Sequence, residues 1–324
     1  MGWGEKTNPR SRWYQKHHGV PANKPSPKNI SGRVSVFIPT KNRPDDLKRM
    51  LKSLSAQTYK DFEIIIDEQE GLVESENAGL ERATGEFFIR TDDDVITPPE
   101  WLEEVVKTFM AYPEAGGVSG PIVMKNWDMG VMEFNDRDLF AYQGRLTKGN
   151  WFWRLVGKVY YNFILEGQVS VIGRIMRSGA FTLGSNMSHA LKLKEPIEIE
   201  VHDCCNMACR TELLRQVGGF DSVFRGVAEL NEPDVSFKIL KLGHKIIFNP
   251  KCFIYHTTST EGVYDCRDEE SYDRMRNFQT FFHRYFRVNP RFYAYVLFQN
   301  GYYFYRFLKT GKIKHLGAWL ASIR

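Results

Sequence analysis

Glu86-Phe87-Phe88-Ile89-Arg90-Thr91-Asp92-Asp93-Asp94-Val95 is the stretch on which the reading of this chain turns. Phe87 to Ile89 reads as a short strand buried on both faces, too short for a helix. Carboxylates directly after such a strand stand at the rim of the sheet. In open α/β sheets that rim, at the carboxyl ends of the strands, is where ligands bind. Three adjacent Asp residues repel one another, and a cation relieves the repulsion. Mg2+ is usually held by one or two carboxylates plus substrate phosphates, and Mn2+ suits the same oxygens. For the triplet alone, a solvated acidic turn before Pro98-Pro99 is the plainer account. Its place after a buried strand, inside a longer pattern, favours the ligand reading.

The pattern extends in both directions. Upstream, Val34 to Ile38 is a β-branched and apolar run ending at Pro39-Thr40, and Lys41 to Pro44 is a loop. Asp45 or Asp46 then caps a helix with Leu47, Met50, Leu51 and Leu54 at helical spacing. Phe62 to Ile66 is a second strand ending at Asp67, and a second helix runs over about 75–83. Downstream, Pro99 opens a helix carrying Leu102, Val105, Val106 and Phe109, followed by a Gly-rich strand over 115–124. Strands alternating with helices predict βαβ units and a mostly parallel, Rossmann-like central sheet flanked by helices. Residues 126–190 show little periodicity and read as a variable insertion or lid. Thr211 is a candidate cap for a short helix ending at Gly218-Gly219. Acidic residues then lead into a helix with Val235, Ile239 and Leu242 on one face. Short strands at 246–248 and 253–255 end at His256. The chain past Asp265 reads as a helical, aromatic-rich extension.

The 324 residues are 42% hydrophobic and 26% charged, an ordinary globular balance, and the formal charge of +5 is too mild to imply nucleic acid. Residues 1–33 carry Lys6, Arg10, Arg12, Lys16, Lys24, Lys28 and Arg33 against Glu5 alone, and read as a basic arm. This end lacks the apolar core of a secretory signal. Five cysteines, an odd number, fit free thiols in a reducing compartment. His202, Cys204, Cys205 and Cys209 match no closed zinc spacing and read as buried small hydrophobes. No run reaches the ~18–20 apolar residues of a spanning helix. The reading is of a cytoplasmic protein, with Arg284, Arg287, Arg291 and Arg306 among Phe and Tyr over 285–308 offering a peripheral membrane contact. Packing of that segment on the core or on another subunit competes equally.

Seven motifs occur in order: Ile38-Pro-Thr-Lys-Asn-Arg43, Phe62 to Asp67, Asn77-Ala-Gly79, Asp92-Asp-Asp94, Val217 to Asp221, Glu232-Pro-Asp234 and Tyr255-His256. Each is weak alone. Together, over about 34–276, they resemble the family 2 glycosyltransferases of GT-A fold. The resemblance implies a transferase domain over 34–265 and a C-terminal helical extension over 266–324. It implies that Pro39, Thr40, Asn42, Arg43, Asp67, Asn77, Asp92 and Asp93 hold a nucleotide-diphospho-sugar, with UDP the first choice. It implies Mn2+ or Mg2+ on Asp92, Asp94 and His256. The catalytic base of the family lies in an acidic motif opening a helix, usually Glu-Asp-x-Asp. Here Asn231-Glu232-Pro233-Asp234 stands in that place. Glu232 is therefore the first candidate, with Asp234 and Glu229 as alternatives. Arg274, Arg276 and Asn277 resemble a segment near the active site in relatives. The implied reaction is inverting transfer of a sugar to a hydroxyl of a glycan or lipid-linked acceptor. Two rivals stand beside it: a sugar-nucleotide-binding subunit without catalysis, which the Asn231 departure favours, and a sugar nucleotidyltransferase, which would need a richer basic Gly loop after the first strand. Outside the family each residue has a plainer account: a polar turn at Asn42 and Arg43, a helix cap at Asp67, helix-dipole compensation at Glu232, a packed histidine at 256.

Overall fold

A computed structural model describes residues 32–69, 71–125, 132–133, 150–168, 171–182, 184, 189–257 and 271–321. Most of the basic arm, much of the 126–190 segment and Cys266 lie outside the described residues.

The opening units are β1 (Val34–Pro39), α1 (Pro44–Ser55), β2 (Phe62–Asp67), α2 (Leu72–Arg82) and β3 (Phe87–Arg90). After β4 (Val95–Ile96) come α3 (Trp101–Ala111), β5 (Ala115–Ser119), β6 (Ile122–Lys125) and β7 (Met132–Glu133). The helix α4 (Trp151–Lys158) continues as a π-helical turn over Val159–Ile164, and β8 (Arg174–Ile175) pairs with β9 (Phe181–Thr182). Then follow β10 (Ile197–Ile199), β11 (Met207–Arg210), α5 (Thr211–Gln216), α6 (Asn231–Lys241), β12 (Lys245–Phe248) and β13 (Ile254–Thr257). The chain closes with α7 (Ser271–Tyr285), α8 (Pro290–Thr310) and α9 (Ile313–Ala321).

The central sheet has the order β10-β12-β5-β11-β3-β1-β2. Strands β1, β2, β3, β5 and β12 share one direction, while β10 and β11 run against it. The expected parallel sheet is therefore present, with an antiparallel strand wedged between β3 and β5. Successive residues of a strand face opposite sides. Val34, Val36, Ile38, Phe87 and Ile89 accordingly enter one core layer, and Phe37 and Phe88 the other. Gly79 of α2 lies where an added Cβ would stand 2.2 Å from the Phe37 ring, so the glycine sets how closely helix and sheet approach.

Four expectations need correcting. The run 115–124 is two strands rather than one. It breaks at Gly120-Pro121, where a Cβ on Gly120 would sit 2.1 Å from the Cys252 carbonyl oxygen. Beyond the break β6 joins a second sheet, β4-β13-β6-β7. Neither Asp45 nor Asp46 caps α1: the cap position is Arg43, Pro44 starts the helix, and both acids lie in its first turn. Thr211 likewise is the first helical residue, and its hydroxyl donates to the Gly85 carbonyl at 2.6 Å, tying α5 to β3. Leu242 also falls just past α6 and is exposed, so the buried face of that helix is Val235 and Ile239.

The C-terminal helices are part of the fold. The α7 residues Met275, Phe278, Phe281 and Phe282, three or four apart, are buried: Phe281 meets Phe237 of α6, and Phe278 and Phe282 stack on Phe292 of α8. Asn289 caps α8 through its side chain, Pro290 follows at the first position, and Gly311 ends the helix in the left-handed conformation. Of α8 only Phe292, Val296 and Tyr303 are buried.

Candidate active site

The acidic rim forms where the two sheets meet. Strand β3 ends at Arg90, and Thr91 to Asp94 leave it directly into β4. Strand β4 pairs antiparallel with β13, placing His256 opposite Val95. The Asp94 carbonyl accepts from both the Thr257 amide (2.9 Å) and the Thr257 hydroxyl (2.7 Å). This pairing, made by residues far apart in sequence, brings His256 to the aspartates.

His256 Nε2 stands 3.5 Å from Asp94 Oδ1 and 3.7 Å from Asp92 Oδ2. These distances are long for hydrogen bonds. They suit ligands sharing one cation with bonds of about 2.1 Å. Asp94 Oδ1 is buried, and among the described residues it has no hydrogen-bond donor. Ligand atoms of Asp92, Asp94 and His256 lie within 4.8 Å of one another. Burial raises the Asp94 pKa to about 6, and His256 only partly offsets it. Burial lowers the His256 pKa, but Asp92 and Asp94 outweigh this and raise it. A doubly charged cation would relieve that strained protonation balance, so these residues fit one.

A second cluster shares Asp92: its carboxylate lies within 4.8 Å of the Cys204 and Cys205 thiols. The Cys204 contact and burial push the Cys205 thiol well up. Hard cations prefer the oxygen and imidazole set. His202 takes no part there, because its Nδ1 meets Ser236 Oγ at 2.9 Å and its Nε2 lies 4.0 Å from Cys209 Sγ.

The loop after β1 closes over the same aspartates. Thr40 Oγ1 donates to Asp93 Oδ2 at 2.6 Å, and Arg43 Nη1 lies 3.2 Å from Asp93 Oδ1 and 3.4 Å from Asp94 Oδ2. Asn42, at φ 58°, makes the left-handed turn that sends Arg43 back to the rim. The central Asp93 is fully buried under Thr40, so it braces the loop while Asp92 and Asp94 turn toward His256. Burial raises its pKa, against Thr40 and Arg43.

Two expected donor contacts are engaged elsewhere. The Asp67 carboxylate already accepts from the Gln69 amide (3.1 Å), the Gln69 side chain (2.9 Å), Ser75 (2.8 Å) and Arg82 (2.5 Å). Burial raises its pKa, but those partners prevail and hold it below the usual range. Asn77 gives both ends of its amide to the Phe220 main chain, at 2.8 and 3.0 Å, and so ties α2 to the Gly219 turn.

The three candidate bases separate sharply. Glu229 is clamped bidentately by Arg274. Asp234 is fully buried, accepting from Arg284 and Tyr285 at 2.7 Å each, with Lys238 Nζ 2.8 Å from its other oxygen. Glu232 opens α6 with 8% exposure, and among the described residues no other side chain bonds its carboxylate. Burial raises its pKa to about 7, with Arg90 opposing and Asp203 and Asp92 adding. Of the segment at 274–277, Arg274 holds Glu229 and Asn277 pins both the amide and the carbonyl of Arg225.

Sequence reasoning gave no role to Glu76 or Arg90, and it set Arg284 among the membrane-facing basic residues, whereas Arg284 donates to Asp221 and Asp234. For Arg90 a signal exists: it is the one charged residue in the strand Phe87-Phe88-Ile89-Arg90, all four positions of which are buried.

Comparison with known proteins agrees with this architecture. Residues 35–66 and 67–177 match the family model for glycosyl transferase family 2. A glucosyl-dolichyl phosphate glucuronosyltransferase of Haloferax volcanii is 26% identical over 146 residues, 36% of this chain and 46% of that one. An uncharacterized glycosyltransferase of Haemophilus influenzae is 25% identical over 112 residues, 27% of this chain and 38% of that one. The chain thus spans less than half the length of these curated relatives. A mannosyltransferase of Pyrobaculum calidifontis, solved with GDP-Man and Mn2+, superposes with a TM-score of 0.52 at 17% identity, covering 97% of this chain and 79% of that one. That likeness is one of fold, and the fold is the GT-A type that the motifs implied.

Proposed function

We propose, from the premise that this chain carries a family 2 glycosyltransferase domain, that it transfers a sugar from a nucleotide-diphospho-sugar to a hydroxyl of a glycan or lipid-linked acceptor. The carrying observation is the convergence on one rim of Asp92, Asp94 and His256, with Glu232 the one candidate base not tied to another side chain among the described residues. Asp92, Asp94 and His256 would hold Mn2+ or Mg2+. When bound, such a cation neutralises the diphosphate leaving group. Arg43 stands beside the same carboxylates and adds positive charge for the phosphates. Pro39, Thr40 and Asn42 shape the loop that presents it. Glu232 accepts the acceptor's proton, and its pKa near 7 suits a general base at neutral pH. A base on the acceptor side with the donor held at the cation favours direct displacement, hence inversion. The availability of Glu232 weighs against a non-catalytic binding subunit. We assign UDP as the nucleotide, with the GDP of the Pyrobaculum protein as the nearest control.

The acceptor side is assigned to a membrane face. Residues 290–310 and 313–321 contain no acid, and their charges are Arg291, Arg306, Lys309 and Lys314. Tyr293, Leu297, Tyr305 and Leu308 of α8 are exposed beside them. Among the described residues no helix is long and apolar enough to cross a membrane, so the contact is peripheral.

The test is a thermal-shift series with UDP-, GDP-, CDP- and dTDP-sugars, each with and without Mn2+. A ligand at 100 times its Kd stabilises by about 2.7 kcal/mol. The expected result is a metal-dependent rise with UDP-sugars. A rise with GDP-sugars alone changes the donor, and no rise with any of them overturns the reading.

A further inference from the structure

Arg90 is 3% exposed, inside a strand whose other three residues are core. A charge that deeply buried persists only with partners. Its Nη1 donates to Asp92 Oδ1 at 2.5 Å and its Nε to Glu76 Oε1 at 3.2 Å. Glu76 is fully buried on α2, and its other oxygen accepts from Asn231 Nδ2 at 2.8 Å. Asn231 is the first residue of α6 and immediately precedes Glu232. An unbroken line of hydrogen bonds, Asp92–Arg90–Glu76–Asn231, therefore joins the Asp92 end of the site to the residue before Glu232.

We propose that Arg90 and Glu76 are positioning residues that hold the cation-side carboxylate of Asp92 and the Glu232 end of α6 in one fixed relation. The inference rests on the reading above, in which Asp92 serves the cation and Glu232 the acceptor. Arg90 occupies Oδ1 of Asp92, which leaves Oδ2 as the oxygen facing His256. At the other end Asn231 anchors a helix start whose preceding residue, Leu230, is left-handed at φ 75°. Such a turn is held only by its surroundings. Stability alone gives a poor account of the line. Replacing a buried ion pair by apolar residues is often neutral or stabilising, whereas this pair lies between the two ends of the site. The same line makes sense of Asn231, where an acid is usual in the family. The Asn231 amide donates to Glu76 at 2.8 Å, which an ionised carboxylate at that position could not do.

The experiment measures Mn2+ binding to the protein without donor, read as free Mn2+ by electron paramagnetic resonance, alongside turnover. The variants are Asp94→Asn, the paired change Arg90→Met with Glu76→Leu, and Asn231→Ala. Second-sphere partners of metal ligands typically contribute 10–100-fold in affinity. The paired variant is expected to melt near the wild type and to bind Mn2+ about 10–100-fold more weakly. Asn231→Ala is expected to keep Mn2+ affinity and lose about tenfold in kcat with KM for donor unchanged. Wild-type Mn2+ affinity in the paired variant, with Asp94→Asn impaired, overturns the positioning role and leaves the site reading intact. Unimpaired binding in Asp94→Asn overturns the site reading itself. Should the paired variant fail to fold, Asn231→Ala still decides the Glu232 arm: unchanged kcat there overturns it.

Discussion

Two acidic clusters stand about the start of α6, and they are built in opposite ways. In the first, Asp221, Glu229 and Asp234 are matched by Arg284, Arg274, Tyr285 and Lys238. In the second, Asp92, Asp94 and Glu232 gather with fewer partners than they can accept. Asp94 Oδ1 is buried without a donor among the described residues, and Glu232 and Asp94 both have raised pKa values, near 7 and 6. Carboxylates saturated by cations and hydroxyls are scaffold. Carboxylates crowded together against burial and their own repulsion cost stability, and that cost marks a place where something charged is meant to arrive.

The largest expected effect separates the clusters by activity. Glu232→Gln should reduce kcat by about 10²–10⁴ while leaving the melting temperature unchanged or higher. A variant with wild-type turnover would move the base elsewhere on the rim. The next effect is a pH dependence. The folded-state pKa of Glu232, about 7, lies above its ordinary 4.5. Between those values the folded protein binds more protons than the unfolded chain. This group's stabilisation is thus complete below about 4.5 and is lost as pH rises to about 7, amounting to up to about 3 kcal/mol. Activity runs the other way, rising through the same range as the base ionises. Melting curves of wild type and Glu232→Gln from pH 5 to 8 check the sign. The variant's advantage should grow with pH, and a constant difference would show that Glu232 titrates normally.

The converse substitution acts on the scaffold cluster. Asp234→Ala removes the acceptor of Arg284 and Tyr285 but leaves Arg284 its contact with Asp221. A loss of about 2 kcal/mol follows, seen as a drop of several degrees in Tm. Turnover of the folded fraction should fall less than tenfold. If Asp234→Ala behaves like Glu232→Gln, the division between the clusters is wrong.

Much of this was readable in advance, for a local reason. The alternation from β1 to β3 and the triplet at the rim depend on periodicity within a few residues, so Val34–Pro39, Phe62–Asp67 and Phe87–Arg90 fall where expected. What was not readable depends on distant partners. Strand β11 slips between β3 and β5 from over 85 residues downstream by pairing alone. The break at Gly120 is set by the approach of Cys252. The separation of Glu232 from Asp234 needs Arg284 and Tyr285, fifty residues on. The family resemblance pointed to three acids near one helix start, and only their partners separate them: Arg274 holds Glu229, Arg284 and Tyr285 hold Asp234, and no other described side chain bonds the Glu232 carboxylate.

The smallest effect extends the same reasoning from polar to apolar groups. An exposed Leu or Tyr on a basic helix is the apolar counterpart of an unpartnered carboxylate. Leu297 and Tyr293 are 72% and 64% exposed, so changing both to Ser should leave the fold within about 0.5 kcal/mol of wild type. Partial insertion of both side chains into a lipid interface would contribute on the order of 1.4 kcal/mol, which is tenfold in affinity. Flotation of the full chain with anionic vesicles should therefore fall about tenfold in the double variant, with donor binding unchanged. Lys309→Glu should weaken flotation further at low salt, since each basic residue near an anionic surface is worth about 1 kcal/mol. Equal flotation of all three proteins would make this face another packing surface, and the contrast between matched and unmatched groups would then hold for the acids alone.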